Sequence, residues 1–189
     1  MDTYQYTGGL AKITASRLTA VDSNHFATAE LWVNTNGTWD QSWVEEGLHI
    51  GHRFSDSGTA LAWFYAEQDL TGTLAGYKET ETSLSVSLGT SYNAKISYNG
   101  GNKWAFYRDG AFIANSTTNH ANGTGQLQAG AESTADGNTI TGTAETFQKR
   151  GSDNVSWSYH WPGSGVQNNN PPVTASWINV DDAVRFSQN

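Results

Sequence analysis

The amino-acid sequence predicts an all-β protein, and more specifically a single-domain antiparallel β-sandwich over residues 1–189. Three observations lead to this prediction. No window carries a sustained apolar period of 3.6 residues, so helices are expected to be scarce. Turn residues recur about every ten positions, a spacing typical of sandwiches and barrels. Aromatic residues make up 12% and charged residues only 15% of the chain, which suits half-buried strands joined by polar turns.

Apolar runs bounded by turn residues place the strands in order along the chain. They are expected at residues 10–18, 25–33, 43–51, 59–67, 82–88, 94–98, 103–114, 125–134, 139–148, 154–161 and 173–178, with a polar loop at 162–172. The run 103–114 is expected to be a hairpin, because Asp109-Gly110 is the signal of a type I′ turn, which needs positive φ at both central residues. In the run 82–88 leucines and a valine alternate with serines, which predicts a strand buried on one side.

Composition and charge exclude several classes of function. The net charge is −8, with 10 Lys and Arg against 18 Asp and Glu, so a nucleic-acid partner is not expected. There is no cysteine, hence no disulfide and no thiolate metal site. No run approaches the ~20 apolar residues of a membrane span, and the first residues carry no signal-peptide pattern. Low Lys content with abundant Asn, Ser and Thr favours an exported, extracellular protein whose signal peptide is absent from this sequence.

The segment 43–51 carries the most informative pattern, because two carboxylates lie inside a predicted strand. Alternation puts Trp43, Glu45 and His49 on one face and the apolar residues on the other. Glycines on the first face would leave the open space that a groove on a concave sheet needs. Glu46, one residue from Glu45, must point the other way and is interpreted as structural or solvent-exposed.

Carboxylate pairs are the chemistry that this chain could carry, since two acids held within a few Å cannot both ionise easily and divide into a proton donor and a base. The strand acids are Glu45, Glu67 and Glu132. Neither a metal nor another cofactor is expected: His49 and His52, three apart, would lie on opposite faces of a strand. A calcium site of oxygen ligands around 136–138 or 181–182 stays open, whereas no phosphate loop or nucleophile elbow occurs.

Short motifs carry a resemblance to a known family. Residues 43–47, Trp-Val-Glu-Glu-Gly, resemble the catalytic strand of the glutamic peptidases, in which the position of Glu45 is glutamine in eqolisins and glutamate in neprosin-type enzymes. Residues 62–67 resemble the aromatic strand that follows in eqolisins, and Gly130-Ala131-Glu132 resembles the step that carries their second catalytic acid. The hairpin at 104–112 resembles those of concanavalin-A-like sandwiches.

The resemblance implies a concanavalin-A-like jelly roll with a concave face, and hydrolysis of peptide bonds at acidic pH. Glu45 and Glu132 would be the catalytic acids: the ionised one activates a water and the protonated one stabilises the oxyanion. Five further residues would line the substrate-binding cleft: Trp43, His49, Trp63, Tyr65 and Glu67.

Two alternatives remain open from the sequence. The same carboxylates could hydrolyse a polysaccharide, with a carboxyl separation of about 5 Å for retention or about 6.5–9.5 Å for inversion. A lectin-like or surface-adhesion module that only binds would instead use exposed Trp and Tyr to stack on sugar rings. The expected partner is therefore a polypeptide or a polysaccharide.

Overall fold

The computed structural model describes residues 6–35, 42–51, 60–69, 76–117, 119–120, 123–159, 173–179 and 182–188. Within these ranges the chain forms thirteen β-strands. They are β1 (Gly8–Thr19), β2 (Phe26–Asn34), β3 (Ser42–Gly51), β4 (Ala62–Asp69), β5 (Tyr77–Glu81), β6 (Ser91–Tyr98), β7 (Trp104–Arg108), β8 (Ala111–Asn115), β9 (Gln126–Gly130), β10 (Thr139–Arg150), β11 (Trp157–Tyr159), β12 (Thr174–Asn179) and β13 (Ala183–Gln188). This part of the chain has no helix with the length and apolar character of a membrane span.

The strands form two sheets in which every pairing is antiparallel. The larger sheet has the order β12-β13-β10-β1-β6-β7-β8, with β11 paired to β10, and the smaller has the order β5-β4-β3-β2-β9. Buried side chains from both sheets form one hydrophobic cluster. The predicted all-β sandwich is therefore confirmed.

Side-chain alternation decides what enters the core. In β1 the alternate residues Ala11, Ile13 and Ala15 are fully buried, and in β3 Val44 and Leu48 meet them from the smaller sheet. Each fully buried Leu, Ile or Val stabilises the sandwich by about 1.5–3 kcal/mol relative to exposure. Every strand of the core therefore has a second face, and in β2 and β3 most of that face is buried as well.

The predicted hairpin is confirmed at the residues that signal it. β7 and β8 pair with Arg108 opposite Ala111, and the two residues between them are Asp109, with φ of 51°, and Gly110, with φ of 82°. Both values are positive, as a type I′ turn requires.

Two assignments near the sheet edges were wrong. Residues 82–88 form no strand, and Leu84 and Leu88 are 36% and 43% exposed. The edge strand is β5 instead, a charged segment that pairs with β4, and the sequence also left out β13, which pairs with β10 and β12. Alternation only permits a strand; the hydrogen-bonding partner decides whether one forms.

Candidate active site

The smaller sheet has one face toward the larger sheet and one away from it, which we call the outer face. Because Val44 and Leu48 lie in the core, the alternate residues Trp43, Glu45 and His49 lie on the outer face, as predicted. The registers of β2, β4, β5 and β9 place the other polar and aromatic residues there: Phe26, Thr28, Glu30, Trp32, Asn34, Phe64, Gln68, Tyr77, Glu79, Glu81, Gln126 and Gln128. Among the described residues this face carries acids but no Lys or Arg, so its described part is acidic.

Glu45 is joined to a second acid through a tyrosine. In the sheet Ala66 lies between Glu45 on β3 and Glu79 on β5, and its methyl group leaves space above the sheet. The hydroxyl Oη of Tyr77 lies 2.8 Å from Oε1 of Glu45 and 2.8 Å from Oε2 of Glu79. Since Oη has one proton to donate, the second contact is a hydrogen bond only when one of the two carboxyls carries a proton and donates it to Oη. In that protonation state the Tyr77 hydroxyl connects the two acids by hydrogen bonds.

The acids of this group are buried, and exposure increases toward the edge of the sheet. Glu45 is fully buried and the side chain of Glu79 is 3% exposed, but the side chain of Glu81 at the end of edge strand β5 is 27% exposed. The rings of Trp43 and Tyr77 are half-buried, with centroids 6.5 Å apart. An aromatic rim next to buried acids is a feature of both substrate clefts and binding grooves.

His49 extends the network. Its Nδ1 lies 3.4 Å from Oε1 of Glu79 and 3.2 Å from Oε1 of Glu81, and Phe64 and Phe26 contact the ring edge-on with centroid distances of 5.6 and 6.4 Å. When His49 is protonated, these are ion pairs. The contacts then run from Glu45 through Tyr77 to Glu79, and from Glu79 through His49 to Glu81.

The same three ligands could hold a divalent metal ion. One ligand atom from each of His49, Glu79 and Glu81 lies within 4.8 Å of the others. Tetrahedral zinc with bonds of about 2.0–2.2 Å separates its ligands by about 3.3–3.5 Å, close to the two Nδ1–oxygen distances above. The prediction that the protein binds no metal can therefore be tested at His49. His52, the other histidine considered in that prediction, lies outside the described residues.

A glycine makes room for another acid beside Glu45. Gly47 is the next outer-face residue of β3 and lies opposite Glu30 of β2. A Cβ on Gly47 would lie 2.7 Å from Cβ of Glu30 and 2.3 Å from the carbonyl oxygen of Ala29, so no larger residue fits. Glu30 is fully buried and accepts a hydrogen bond from the hydroxyl of Thr28.

Glu132, the predicted second catalytic acid, lies on the outer face but in another row. It is opposite Thr28: the Thr28 N–H donates to its carbonyl oxygen over 2.9 Å, and its own N–H donates to the Thr28 hydroxyl over 3.1 Å. The β9 residue in the row of Glu45 is Gln128, four residues earlier. Strand spacings then put the Cα atoms of Glu45 and Glu132 roughly 16 Å apart, against roughly 10 Å for Glu45 and Glu79.

The predicted binding residues divide between two faces. Trp43 and His49 share the outer face with Glu45, whereas Trp63, Tyr65 and Glu67 lie on the inner face, opposite Leu48, Glu46 and Val44. Trp63 is fully buried against Tyr92 with ring centroids 5.7 Å apart, and Tyr65 stacks on Phe106 at 4.9 Å. These two rings are part of the core and do not line a surface with Glu45.

Glu67 belongs to a separate buried polar cluster. Its Oε1 accepts a hydrogen bond of 2.7 Å from the Thr117 N–H, and its Oε2 lies 3.5 Å from Nε2 of His120, whose Nδ1 lies 3.1 Å from the Ser42 hydroxyl. Serine, histidine and acid in this order occur in serine hydrolases. The Ser42 hydroxyl also lies 2.6 Å from the Thr35 hydroxyl, and this buried cluster fastens β3 and β4 to the chain after β8.

Glu46 is buried in the core between the sheets, so the solvent-exposed alternative is wrong and the structural one holds. Burial raises the pKa of its carboxyl well above the usual value, and this effect is only partly offset by the backbone N–H groups of Lys95 and Tyr107 and by the Trp63 indole. A register shift between Phe106 and Tyr107 interrupts the β7–β8 ladder at this point.

Sequence reasoning left out Glu30, Tyr77, Glu79 and Glu81. The signal for β5 was present, since Tyr77, Glu79 and Glu81 follow one another at intervals of two, the period of one strand face. A strand search guided by apolar residues passes over such a segment.

No protein-family model matches the chain, and no curated protein sequence matches it.

Proposed function

We propose that the protein is a hydrolase that works at acidic pH with a coupled pair of glutamates, Glu45 and Glu79. The observation that carries the proposal is the Tyr77 hydroxyl, 2.8 Å from a carboxyl oxygen of each acid. Two carboxyls that share a hydrogen-bonded group favour the singly protonated state, in which one acid donates and the other accepts a proton.

That state provides both groups that hydrolysis needs. The ionised carboxylate takes a proton from water as the water oxygen bonds to the substrate carbon, and the protonated carboxyl hydrogen-bonds the oxygen on which negative charge develops. The proton taken from water then passes to the leaving group. His49, in contact with Glu79, is placed to stabilise the charge left on that acid.

Glu79 is preferred to Glu132 as the partner of Glu45 because of the register of the sheet. Glu79 lies in the same row as Glu45 and shares Tyr77 with it, whereas Glu132 lies two outer-face positions farther along. Sequence motifs select acids by their neighbours in the chain, while a shared proton requires neighbours in space.

A peptide bond is the proposed substrate, on the resemblance of residues 43–47 to the catalytic strand of glutamic peptidases. One observation favours a second candidate, a glycosidic bond. Two oxygens each 2.8 Å from one hydroxyl are at most about 5.6 Å apart, which is compatible with the roughly 5–5.5 Å of retaining glycosidases and shorter than the roughly 6.5–9.5 Å of inverting ones.

The test compares five single variants on a denatured protein substrate between pH 3 and pH 7. Glu45→Gln and Glu79→Gln should each lower the rate by roughly 100-fold or more, the usual size of a lost acid or base. Glu132→Gln should retain activity, as should the control Glu145→Gln, whose exposed carboxylate is paired with Lys12 on the larger sheet. Tyr77→Phe should change the pH profile, because it removes the group that couples the two acids.

Each alternative has its own outcome. Full activity in Glu45→Gln overturns the proposal, and loss in Glu132→Gln with full activity in Glu79→Gln restores the pair predicted from the sequence. The glycan hydrolase is selected if the wild type, but not Glu45→Gln, releases reducing ends from β-linked glucans or xylans and the protein substrate stays intact. Binding of a polymer without any hydrolysis selects the non-catalytic module.

A further inference from the structure

A pocket lies on the opposite side of the molecule from the acidic outer face. Its volume is about 310 Å³, and its lining includes Lys95, Arg150, Tyr107 and Trp157. Among the described residues that line it, two are cations and none is Asp or Glu, although acids outnumber bases 18 to 10 in the chain. We call it the cationic pocket.

The larger sheet builds this pocket from side chains that point away from the core. Ala94 and Ile96 of β6 are fully buried, so Lys95 between them points outward, beside its register partner Tyr107. In the next row Gly8 lies between Ser97 and Arg150, and Arg150 is opposite Trp157 of β11.

Arg150 is fixed in place by the sheet. Its Nη1 donates hydrogen bonds of 2.6 Å to the Ser97 hydroxyl and 3.1 Å to the Tyr98 carbonyl oxygen. Its Nε is buried and makes no hydrogen bond within the described part of the chain. Asp153 is close enough to act on Arg150, but its carboxylate is occupied by the Val155 and Ser156 N–H groups, 3.0 Å away.

Lys95 is held between aromatic rings. Its Nζ lies 3.7 Å from the ring centroid of Tyr107 and 6.0 Å from that of Trp157. Burial, with a smaller effect from Arg150, lowers the pKa of Lys95. Two cations that are partly desolvated and repel each other are stabilised by an anion bound between them.

Exposed rings surround the two cations. Trp157 is 36%, Tyr159 63% and Phe112 56% exposed, and the Phe112 ring contacts Tyr107 edge-on at 5.6 Å. Exposed aromatic rings stack on the apolar faces of sugar rings, while Arg and Lys bind carboxylate or sulfate groups. Both features together suit a sugar that carries an acid group.

We propose that the cationic pocket binds acidic sugar units of a polysaccharide, with the anionic group between Lys95 and Arg150 and the sugar ring against Trp157. This site lies on the other sheet from Glu45 and does not depend on the proposed hydrolase. It would hold the protein on an anionic glycan whether or not the acidic outer face is catalytic.

The test measures binding of the whole chain to polygalacturonate and to dextran sulfate, with unmodified dextran as the neutral probe, by titration calorimetry at low and moderate salt. Affinity for at least one anionic polymer should exceed that for dextran by tenfold or more and should fall as salt rises. Lys95→Gln and Trp157→Ala should each weaken binding several-fold.

A matched control is Lys12→Gln, which removes the same charge from the same sheet face at a residue already paired with Glu145 over 2.9 Å. It should bind like the wild type, and circular dichroism should show all three variants folded. Three results would overturn the proposal: equal affinity for dextran and the anionic polymers, a loss of affinity in Lys12→Gln equal to that in Lys95→Gln, or a loss in Lys95→Gln with none in Trp157→Ala. The last result would describe an anion site that does not bind a sugar ring. Stronger binding of single-stranded nucleic acid than of either anionic polymer also overturns it.

Discussion

Replacing Glu46 by glutamine should raise the stability of the protein relative to the wild type as the pH increases. Glu46 is fully buried between the sheets, where burial raises the pKa of its carboxyl, and only the backbone of Lys95 and Tyr107, the Trp63 indole and the charge of Lys95 oppose that effect. Glutamine keeps the shape of the acid but does not ionise, and its NH2 group is a donor where the carboxyl has an acceptor oxygen. The N–H groups that face Glu46 are donors as well, so the substitution has a cost that does not depend on pH, while the ionisation and its pH dependence are removed.

The expected magnitude follows from proton linkage. Because the pKa of Glu46 is higher in the folded than in the unfolded chain, its contribution to stability is complete below about pH 4.5 and is lost as the pH rises from there toward the folded pKa. For one proton the loss is about 1.4 kcal/mol per pH unit. In a chain of this length 1 kcal/mol moves the midpoint by about 2–4 °C, so the difference in Tm between Glu46→Gln and the wild type should widen by roughly 3–5 °C per pH unit.

Thermal and urea unfolding of both proteins between pH 4 and pH 8 would measure this difference. Glu145→Gln is the control with the opposite sign, since Lys12 lowers the pKa of Glu145 and its stabilisation is present above about pH 4.5 and lost below. That pair is partly exposed, so its effect should stay below about 1 kcal/mol. Parallel stability curves for Glu46→Gln and the wild type, or a variant that loses stability relative to the wild type as pH rises, would refute the reasoning.

Three further predictions concern the sheet and the site. Gly47→Ala should lower the free energy of unfolding by about 1–3 kcal/mol, because its Cβ would lie 2.3 Å from the Ala29 carbonyl oxygen. The control Gly130→Ala, whose Cβ would have its nearest contact at 3.7 Å, should change this free energy little. Urea titration of both variants measures the difference. Gly110→Ala should cost about 1–2 kcal/mol because φ is 82° there, and an unchanged urea midpoint would contradict the type I′ turn. Added zinc should raise the Tm of metal-free wild type but not of His49→Ala, and an equal response of both would exclude His49 as a ligand.

The predictions that succeeded rest on local rules. The faces of segment 43–51 follow from the period of two in a strand, and the Asp109-Gly110 hairpin follows from the φ values that its turn requires. Each rule needs only a few neighbouring residues, all of which the sequence displays.

The assignments that failed needed a partner from elsewhere in the chain. Residues 82–88 alternate apolar and polar side chains more regularly than β5 does. However, β5 forms a strand that pairs with β4, whereas residues 82–88 form no strand. Trp63 and Tyr65 have the aromatic character of a binding cleft, but the register that puts Glu45 outward puts them in the core. A strand pattern specifies two faces and leaves open which of them is covered.

The sequence alone determined that this protein is an all-β sandwich with Glu45 on a strand face opposite the apolar residues, because composition and the period of two are properties of short segments. Only the tertiary structure decided which acid meets Glu45, since strand order and register bring Tyr77 and Glu79 to it across β4 and place Glu132 in another row. Contacts between residues far apart in the chain depend on how whole strands pair, and no short segment specifies that pairing.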